Sequence, residues 1–272
     1  MCKECGCGEP EHGHSHDHAH PHTHDHSHDH AHPHTGGPSH EHADHTHDAS
    51  GAPVPRGDRV VRLEQKVLSR NDEAAARNRA WLRERGITAV NLISAPGTGK
   101  TLLLEKTLEA LEGRVPCAVI TGDQRTDNDA RRLAGKGAPV RQIETVSACH
   151  LDAERVGELL PTVCEGGTRL LFIENVGNLV CPAAFDLGES FKVALLSTTE
   201  GEDKPIKYPS LFTRAGAVVI TKMDLAPHLD WDLSACRRNI QGVRPGVFTF
   251  ELSAKTGEGM QGWLEYLERL VS

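Results

Sequence analysis

The sequence predicts an α/β domain, with a mostly parallel central sheet flanked by helices, that follows a disordered tail rich in histidine. Short apolar runs alternate with helical patterns along most of the chain, and runs such as A-V-V-I and V-A-L-L are apolar at every position. Strands of that kind are buried on both faces, as in a parallel sheet covered by helices. The tail is marked by its histidines, because 16 of the 18 lie between His12 and His47.

The tail, residues 1–55, has a composition that cannot bury a core. Within the His-rich segment 12–47, Ser15–Thr23 recurs letter for letter as Ser27–Thr35, with no apolar position larger than Ala. Neutral imidazole binds nickel, zinc, copper and iron, so this segment offers many exchangeable metal sites. An expression tag is the alternative, although tags are usually uninterrupted histidine runs. We therefore expect a disordered metal-binding tail that ends in a linker, 48–55.

The net charge of −8 belongs entirely to the tail. Residues 1–50 hold nine acidic residues and one basic residue, Lys3, whereas the rest of the chain holds 29 of each sign. A balanced body without clusters of Lys and Arg argues against nucleic-acid binding. No apolar run is long enough to span a membrane, and the first residues do not resemble a signal peptide. We expect a cytoplasmic protein whose eight cysteines are thiols or metal ligands rather than disulfides.

Residues 56–272 are predicted to form one domain in which helices and strands alternate. Two helical pieces come first: one follows Asp58 as its N-cap, and the other covers Asn71–Arg85 and ends at Gly86. Short apolar runs then predict the strands Ala89–Ser94, Cys117–Thr121, Val140–Ile143, Leu170–Ile173, Phe191–Ser197, Ala217–Ile220 and Val247–Leu252. Amphipathic patterns predict the helices Lys100–Glu112, Asn128–Gly135, Leu151–Cys164, Leu233–Ile240 and Met260–Leu270.

A phosphate-binding loop, S-A-P-G-T-G-K-T, lies between the first predicted strand and the next helix, from Ser94 to Thr101. Its central residues let the backbone turn so that N–H groups point inward, and the helix N-terminus adds positive potential. In this motif Lys100 reaches the β and γ phosphates and the Thr101 hydroxyl binds Mg²⁺. Ser94 stands where the pattern has its first Gly. The domain is therefore predicted to be a P-loop NTPase, whose loop residues include Pro96, Gly97, Thr98 and Gly99.

A second motif, T-K-M-D at Thr221–Asp224, ends a buried strand, and Ser253, Ala254 and Lys255 end the last one. T-K-M-D resembles the base motif of guanosine triphosphatases, in which the Asp accepts from the guanine N1 and N2 donors and the Lys stem covers the base. Thr221 stands where that superfamily usually has Asn. Alone, Lys222 and Asp224 are equally typical of a solvated charge pair. Together with a phosphate loop they favour guanine.

Two acidic residues are predicted to complete a site for Mg²⁺ and hydrolysis. Asp123 follows the second strand and Glu174 ends the fourth, and the carboxyl ends of parallel strands face one crevice. Gly177, three residues after Glu174, resembles the glycine that senses the γ-phosphate. Because no Gln stands beside it to orient the attacking water, we expect slow turnover.

Three residues are predicted to bind a transition metal near this segment: Cys149, His150 and Cys181. Cys181 lies four residues beyond Gly177, so movement between triphosphate and diphosphate states would change the geometry of the site. Three ligands leave coordination incomplete, and a fourth would be water or a group from a second subunit. The alternative is that the cysteines fill the core and His150 caps a helix.

The extreme N-terminus, C-K-E-C-G-C, groups the thiols of Cys2, Cys5 and Cys7 with nothing to pack against. Thiolates with a backbone or terminal nitrogen suit square-planar nickel, and thiolates also suit tetrahedral zinc, so the ligand type does not decide the metal. An accidental cysteine cluster is the alternative. The remaining cysteines, Cys117, Cys164 and Cys236, occupy apolar contexts and are predicted to be core residues.

These motifs together resemble the hydrogenase nickel-incorporation guanosine triphosphatase family, HypB. The resemblance covers most of the chain, from Cys2–Cys7 and the His-rich segment through both nucleotide motifs to S-A-K-T-G-E-G. It implies a protein that binds GTP and GDP, with Mg²⁺, and passes Ni²⁺ toward the large subunit of nickel-iron hydrogenase. It also implies a HypA-type nickel and zinc metallochaperone as partner, an indirect link to the hydrogenase precursor, and a GTP-dependent homodimer in which Zn²⁺ is a second metal.

Three other functions are compatible with parts of the sequence. A urease accessory guanosine triphosphatase would place Pro between its Cys and His, unlike Cys149 and His150. A zinc-transfer guanosine triphosphatase would carry a Cys-rich motif after the phosphate-loop helix, where this chain has R-V-P-C-A-V. A nickel-storage protein would need neither Lys100 nor Asp224. The motifs therefore favour the HypB type.

Overall fold

The computed structural model describes residues 56–123, 128–145 and 150–272, so the predicted tail 1–55 lies outside the described residues. Seven strands form one sheet in the order β3-β2-β4-β1-β5-β6-β7, and every neighbouring pair is parallel. This confirms the predicted fold class. The strands are β1 Thr88–Ser94, β2 Cys117–Asp123, β3 Val140–Glu144, β4 Leu170–Glu174, β5 Phe191–Ser197, β6 Ala215–Thr221 and β7 Phe248–Glu251.

Five of the helices match sequence predictions closely, and their bounds are α2 Lys100–Leu111, α3 Asn128–Leu133, α4 Ala153–Val163, α8 Leu233–Val243 and α9 Met260–Leu270. Short elements of four to six residues were not predicted, because they are too brief to show a helical period. They are α5 Cys181–Ala184, α6 Lys204–Lys207, α7 Pro209–Phe212 and a 3-10 helix at Met223–His228.

The prediction of two helical pieces before β1 was wrong, because α1 is one continuous helix, Arg56–Glu84. The apolar pattern changes between Leu68 and Asn71, but neither Gly nor Pro stands there to interrupt the hydrogen bonds of the backbone. The helix gives way to a turn only at Gly86, whose φ of 64° is accessible without strain to glycine.

The sheet is buried on both faces, as its apolar strands predict. On one face α2 and α9 pack over β1 and β4, where Leu104, Leu108 and Trp263 share one buried cluster with the sheet residues Leu92 and Phe172. On the other face α4 and the end of α1 cover alternate residues of the same strands. Burial on both faces fixes the strands and leaves their carboxyl ends as the edge where side chains meet a ligand.

Two asparagines fasten α1 to the rest of the domain. The Asn78 amide donates to the carbonyls of Ala153, at 2.6 Å, and Leu187, at 3.0 Å. Asn71 accepts from the Ala153 N–H at 2.9 Å and donates to the Asp186 carbonyl at 2.7 Å. The first residue of α4 and the segment that follows α5 are therefore bonded to the same helix.

None of the helices in the described part of the chain is both long and apolar enough to cross a membrane.

Three cysteines predicted to be core residues lie in apolar surroundings. Cys117 and Cys236 are buried, which confirms the prediction for both, and Cys164 is half-buried against the cluster under α4. Burial disfavours the thiolate, raising the pKa of Cys117 and Cys236 to about 12 and that of Cys164 to about 11. These thiols are therefore poor metal ligands and poor nucleophiles at neutral pH.

We predict that iodoacetamide at pH 8 leaves Cys117, Cys164 and Cys236 unmodified in the folded protein. At a pKa of about 12, roughly one thiol in ten thousand is ionised at that pH. Peptide mass spectrometry after alkylation measures the modification, and the same reaction in 8 M urea is the control, in which all three react. Equal modification of these cysteines with and without urea would show that the apolar environment does not protect them.

Candidate functional site

The phosphate loop connects Ser94, the last residue of β1, to Lys100, the first residue of α2. Gly97 and Gly99 hold φ values of 75° and 96°, in the left-handed region that glycine enters without a steric cost. The loop lines a cavity of about 440 Å³ together with Gly122, Arg132, Val176 and Gly177. The predicted loop residues thus share one cavity with the segment that follows β4.

The carboxylate of Glu174, which is only 1% exposed, lies behind two residues that line this cavity. Its Oε1 accepts a hydrogen bond from the Thr101 hydroxyl at 2.6 Å and lies 3.7 Å from the Lys100 ammonium. Because β1 and β4 are neighbours in the sheet, the loop after one strand reaches the end of the other. The structure therefore brings together Lys100, Thr101 and Glu174.

The oxygen atoms around Glu174 fit a magnesium ion. Thr121 pairs with Glu174 across β2 and β4, and its buried hydroxyl has no hydrogen-bond partner among the described residues. Mg²⁺ binds carboxylate and hydroxyl oxygens, and the orphaned hydroxyl points to an oxygen-seeking group. Asp123, the last residue of β2, is two residues further along the strand. Thr101, Asp123 and Glu174 would hold the ion, which neutralises phosphate charge when bound.

Gly177 lies directly against the phosphate loop. A Cβ at this position would come within 3.2 Å of the Pro96 backbone nitrogen, closer than nearly all real contacts of that kind. A side chain at 177 would push the segment after β4 away from the loop. The close approach explains why this position, predicted to respond to the γ-phosphate, holds glycine.

A second cavity, of about 180 Å³, adjoins the phosphate loop at Thr98 and Gly99. Its other walls come from the two predicted base motifs, which are 28 or more residues apart in sequence, at Thr221, Lys222, Asp224, Leu225, Ser253, Ala254 and Lys255. The Ser253 hydroxyl donates to Asp224 Oδ1 at 2.6 Å. This bond orients the carboxylate, so that its acceptor atoms have a defined direction.

Thr221 and Lys222 connect the second cavity to the phosphate loop. The Thr221 hydroxyl donates to the carbonyl of Thr98 at 2.6 Å, so a threonine bridges the two motifs at the position of the usual asparagine. Lys222 has a φ of 59°, and its stem passes within 4.0 Å of where a Gly99 side chain would begin. This left-handed backbone turns the lysine stem toward the loop.

Sequence reasoning missed Glu200, in the segment after β5. Its Oε2 accepts from the Ser197 N–H at 2.8 Å and from the Thr98 hydroxyl at 3.3 Å, so it supports the phosphate loop from the side. Arg132, which lines the phosphate cavity and pairs with Glu105 at 3.0 Å, was also missed. The carboxyl ends of parallel strands face one crevice, and this rule identified Asp123 and Glu174 after β2 and β4. Applied to β5, the same rule would have identified Glu200.

The predicted transition-metal residues are only partly described. Cys149, Cys2, Cys5 and Cys7 lie outside the described residues, and within the described ranges no three His, Cys, Asp or Glu side chains are arranged to hold a metal. His150 stacks on Phe185 with ring centroids 3.7 Å apart. Burial lowers the pKa of His150, which favours the neutral imidazole that metals require. Cys181 begins α5, and the three-residue site remains a prediction.

Comparison with known proteins agrees with this geometry. Residues 88–250 match the family described as CobW/HypB/UreG, nucleotide-binding domain. The hydrogenase maturation factor HypB of Azotobacter vinelandii is 52% identical over 220 residues, which cover 80% of this chain and 72% of that protein. The crystal structure of HypB from Archaeoglobus fulgidus aligns with a TM-score of 0.71 at 37% identity, covering 75% of this chain and 100% of that one.

A second solved structure, HypB from Helicobacter pylori in complex with nickel, aligns with a TM-score of 0.69 at 35% identity. It covers 74% of this chain and 95% of that one.

We predict that Thr221→Val lowers the free energy of unfolding by about 1 to 3 kcal/mol, because it leaves the buried Thr98 carbonyl without its donor. Thr221→Ser keeps the hydroxyl and should lose less. Urea denaturation measures both, and the exposed Thr213, which donates to the Pro209 carbonyl within its own helix end, supplies the control Thr213→Val. If Thr221→Val unfolds at the same urea concentration as Thr213→Val, the bridge contributes nothing.

Proposed function

This chain belongs to the hydrogenase maturation factor HypB family, and on that premise we propose that it is a GTPase that delivers Ni²⁺ during maturation of nickel-iron hydrogenase. The observation that carries the proposal is the pair of adjoining cavities, one shaped by a phosphate loop and one by the T-K-M-D and S-A-K motifs. The proposed site of action is the cytoplasm, where the required thiols stay reduced.

The proposed base is guanine, and the geometry around Asp224 supports it. A carboxylate only accepts hydrogen bonds, and guanine offers N1 and N2 donors side by side where adenine has an acceptor. Ser253 donates to Oδ1 at 2.6 Å and orients the carboxylate, and in this proposal the Lys222 stem covers one face of the base. An adenine would instead present its N1 acceptor to the carboxylate, and neither group could donate.

The proposed hydrolysis uses Lys100 and Thr101 for the phosphates, with Thr101, Asp123 and Glu174 holding Mg²⁺. Lys100 stabilises the negative charge of the transferred phosphoryl group, and the backbone N–H groups of the loop do the same. The residue after Gly177 is Asn178, whose carboxamide accepts from the Val180 N–H at 2.9 Å. No Gln stands there to orient water, so the proposed turnover is slow, as suits a switch.

The proposed metal pathway has a storage part and a delivery part. The segment 12–47 stores Ni²⁺, the thiols of Cys2, Cys5 and Cys7 bind it tightly, and the site of Cys149, His150 and Cys181 holds Ni²⁺ or Zn²⁺. Nickel is named in the structure of the Helicobacter pylori relative, which supports this cargo. The proposed partners are a second copy of the chain, joined when GTP is bound, a HypA-type metallochaperone and, indirectly, the hydrogenase large-subunit precursor.

We predict that the protein hydrolyses GTP at least about 100-fold more efficiently than ATP, since a mismatched base leaves buried polar groups unpaired. Lys100→Ala should abolish hydrolysis. Asp224→Ala should lower kcat/KM for GTP at least about tenfold and leave that for ATP unchanged, whereas the exposed Asp230→Ala should change neither. Phosphate release measures all four proteins. Equal use of GTP and ATP by the wild type would rule out the guanine assignment.

We predict that deleting residues 12–47 reduces the number of Ni²⁺ ions bound and leaves GTP turnover unchanged. The segment has no large apolar side chain to bury, so the fold does not depend on it. Metal analysis after dialysis counts the ions, and hydrogenase activity in cells measures delivery. At ample nickel, maturation should be retained. Its complete loss under nickel excess would contradict the separation of storage from delivery.

A further inference from the structure

One buried side chain, Asn175, connects the phosphate cavity to the segment that carries His150. Asn175 is 1% exposed. Its Oδ1 accepts from the Leu151 N–H at 3.3 Å and from the Val176 N–H at 3.0 Å, and its Nδ2 donates to Asn91 Oδ1 at 3.2 Å. The Asn175 carboxamide therefore bonds three segments: the residues just after β4, the middle of β1 and the loop that precedes α4.

The orientation of that carboxamide is imposed by a buried carboxylate. Glu189 is 5% exposed, and its Oε1 accepts from Asn91 Nδ2 at 3.2 Å. A carboxylate cannot donate, so Asn91 must present its N–H₂ to Glu189 and its oxygen to Asn175. Asn175 must then donate to Asn91, which leaves its own oxygen facing the two backbone amides. Only one assignment of donors and acceptors therefore satisfies all of these hydrogen bonds.

In sequence, Asn175 lies between residues that surround the phosphate cavity. It directly follows Glu174, whose carboxylate binds Thr101 and lies near Lys100. It directly precedes Val176 and Gly177, which line the cavity. A displacement of either neighbour by phosphates therefore moves the Asn175 backbone.

At its metal end, Asn175 bonds the amide of Leu151, the residue after His150. Two residues further on, Ala153 is bonded to α1 through both its N–H, at 2.9 Å, and its carbonyl, at 2.6 Å. Because Ala153 is held at both its N–H and its carbonyl, a shift of Leu151 is resisted on the α4 side. The shift is therefore passed to His150 rather than to the helix.

We propose that Asn175 is a positioning residue that converts nucleotide state into the position of His150. This rests on the proposed function, in which His150 is a metal ligand and the nucleotide cycle controls metal transfer. When the segment after β4 moves, the Asn175 oxygen carries the Leu151 amide with it, and the imidazole moves relative to the anchored α4. Metal affinity and nucleotide affinity then depend on each other through this bond.

The test measures nucleotide affinity, because Ni²⁺ bound by the tail does not obscure that signal. Affinities of the full chain for fluorescent GDP and for a non-hydrolysable fluorescent GTP analogue are determined with and without saturating Ni²⁺. The coupling factor is a ratio of two fold-changes. It is the fold-change that Ni²⁺ causes in the affinity for the GTP analogue, divided by the fold-change that Ni²⁺ causes in the affinity for GDP. Cys181→Ala provides the baseline without the metal site, and Asn239→Ala, which removes one carboxamide bond to the Glu202 carbonyl, is the matched control.

We expect a coupling factor of about 5 to 150 in either direction for the wild type and Asn239→Ala, and about 1 for Cys181→Ala. Asn175→Ala should also give about 1, because it removes the acceptor of the Leu151 N–H, while binding each nucleotide within about threefold of the wild type without metal. Asn175→Asp keeps an oxygen acceptor for that N–H and loses only the donor to Asn91, so it should retain more of the coupling than Asn175→Ala. Wild-type coupling that persists in Asn175→Ala would overturn the role of Asn175 alone. A wild-type factor of 1 would overturn both this role and the proposed nucleotide control.

A measurement on the wild type guards against variants that fail to fold. The amide NMR signal of Leu151 should differ between the GDP form and the analogue form, because the amide moves together with its acceptor. The signal of the Ala153 amide, which is bonded to Asn71 on α1, should be nearly the same in both forms. Identical Leu151 signals in the two forms would overturn the inference without any substitution.

Discussion

The arrangement of the site depends on a carboxylate that is almost completely removed from water. An unpaired buried charge costs several kcal/mol, so Glu174 requires donors close by. Thr101 and Lys100 supply them from the first turn of α2, at 2.6 and 3.7 Å. This contact is available only because β4 lies beside β1 in the sheet. Strand order thus makes this contact possible, and the contact in turn holds Lys100 and Thr101 at the end of β4.

A few hydrogen bonds also connect the two cavities. Thr98 receives the Thr221 hydroxyl on its carbonyl at 2.6 Å and sends its own hydroxyl to Glu200 at 3.3 Å. The phosphate loop is therefore held from the β5 and β6 sides as well as from β4. In the proposed complex, a base beside Asp224 and phosphates on the loop would contact one continuous set of bonded residues.

The seven strands and the two nucleotide motifs were predictable because they depend on local composition: apolar runs make buried strands, and glycine is favoured where φ is positive. The continuity of α1 was not predictable from the sequence. A change in the apolar pattern resembles the end of one helix and the start of another, even where no residue interrupts the helix. Asn91, Asn175 and Glu189 were also beyond prediction. Their meaning lies in contacts between residues up to 98 positions apart, which only the sheet order creates.

The two cavities draw their walls from the ends of five strands, β1, β2, β4, β6 and β7. No short fragment contains the whole pocket, so a nucleotide binds the native chain in preference to its unfolded forms. At a ligand concentration of 100 times Kd, such selective binding adds about 2.7 kcal/mol to stability. Total stabilities of domains are about 5 to 15 kcal/mol. The cellular lifetime of this protein should therefore follow the supply of its nucleotide, since proteolysis acts on the unfolded population.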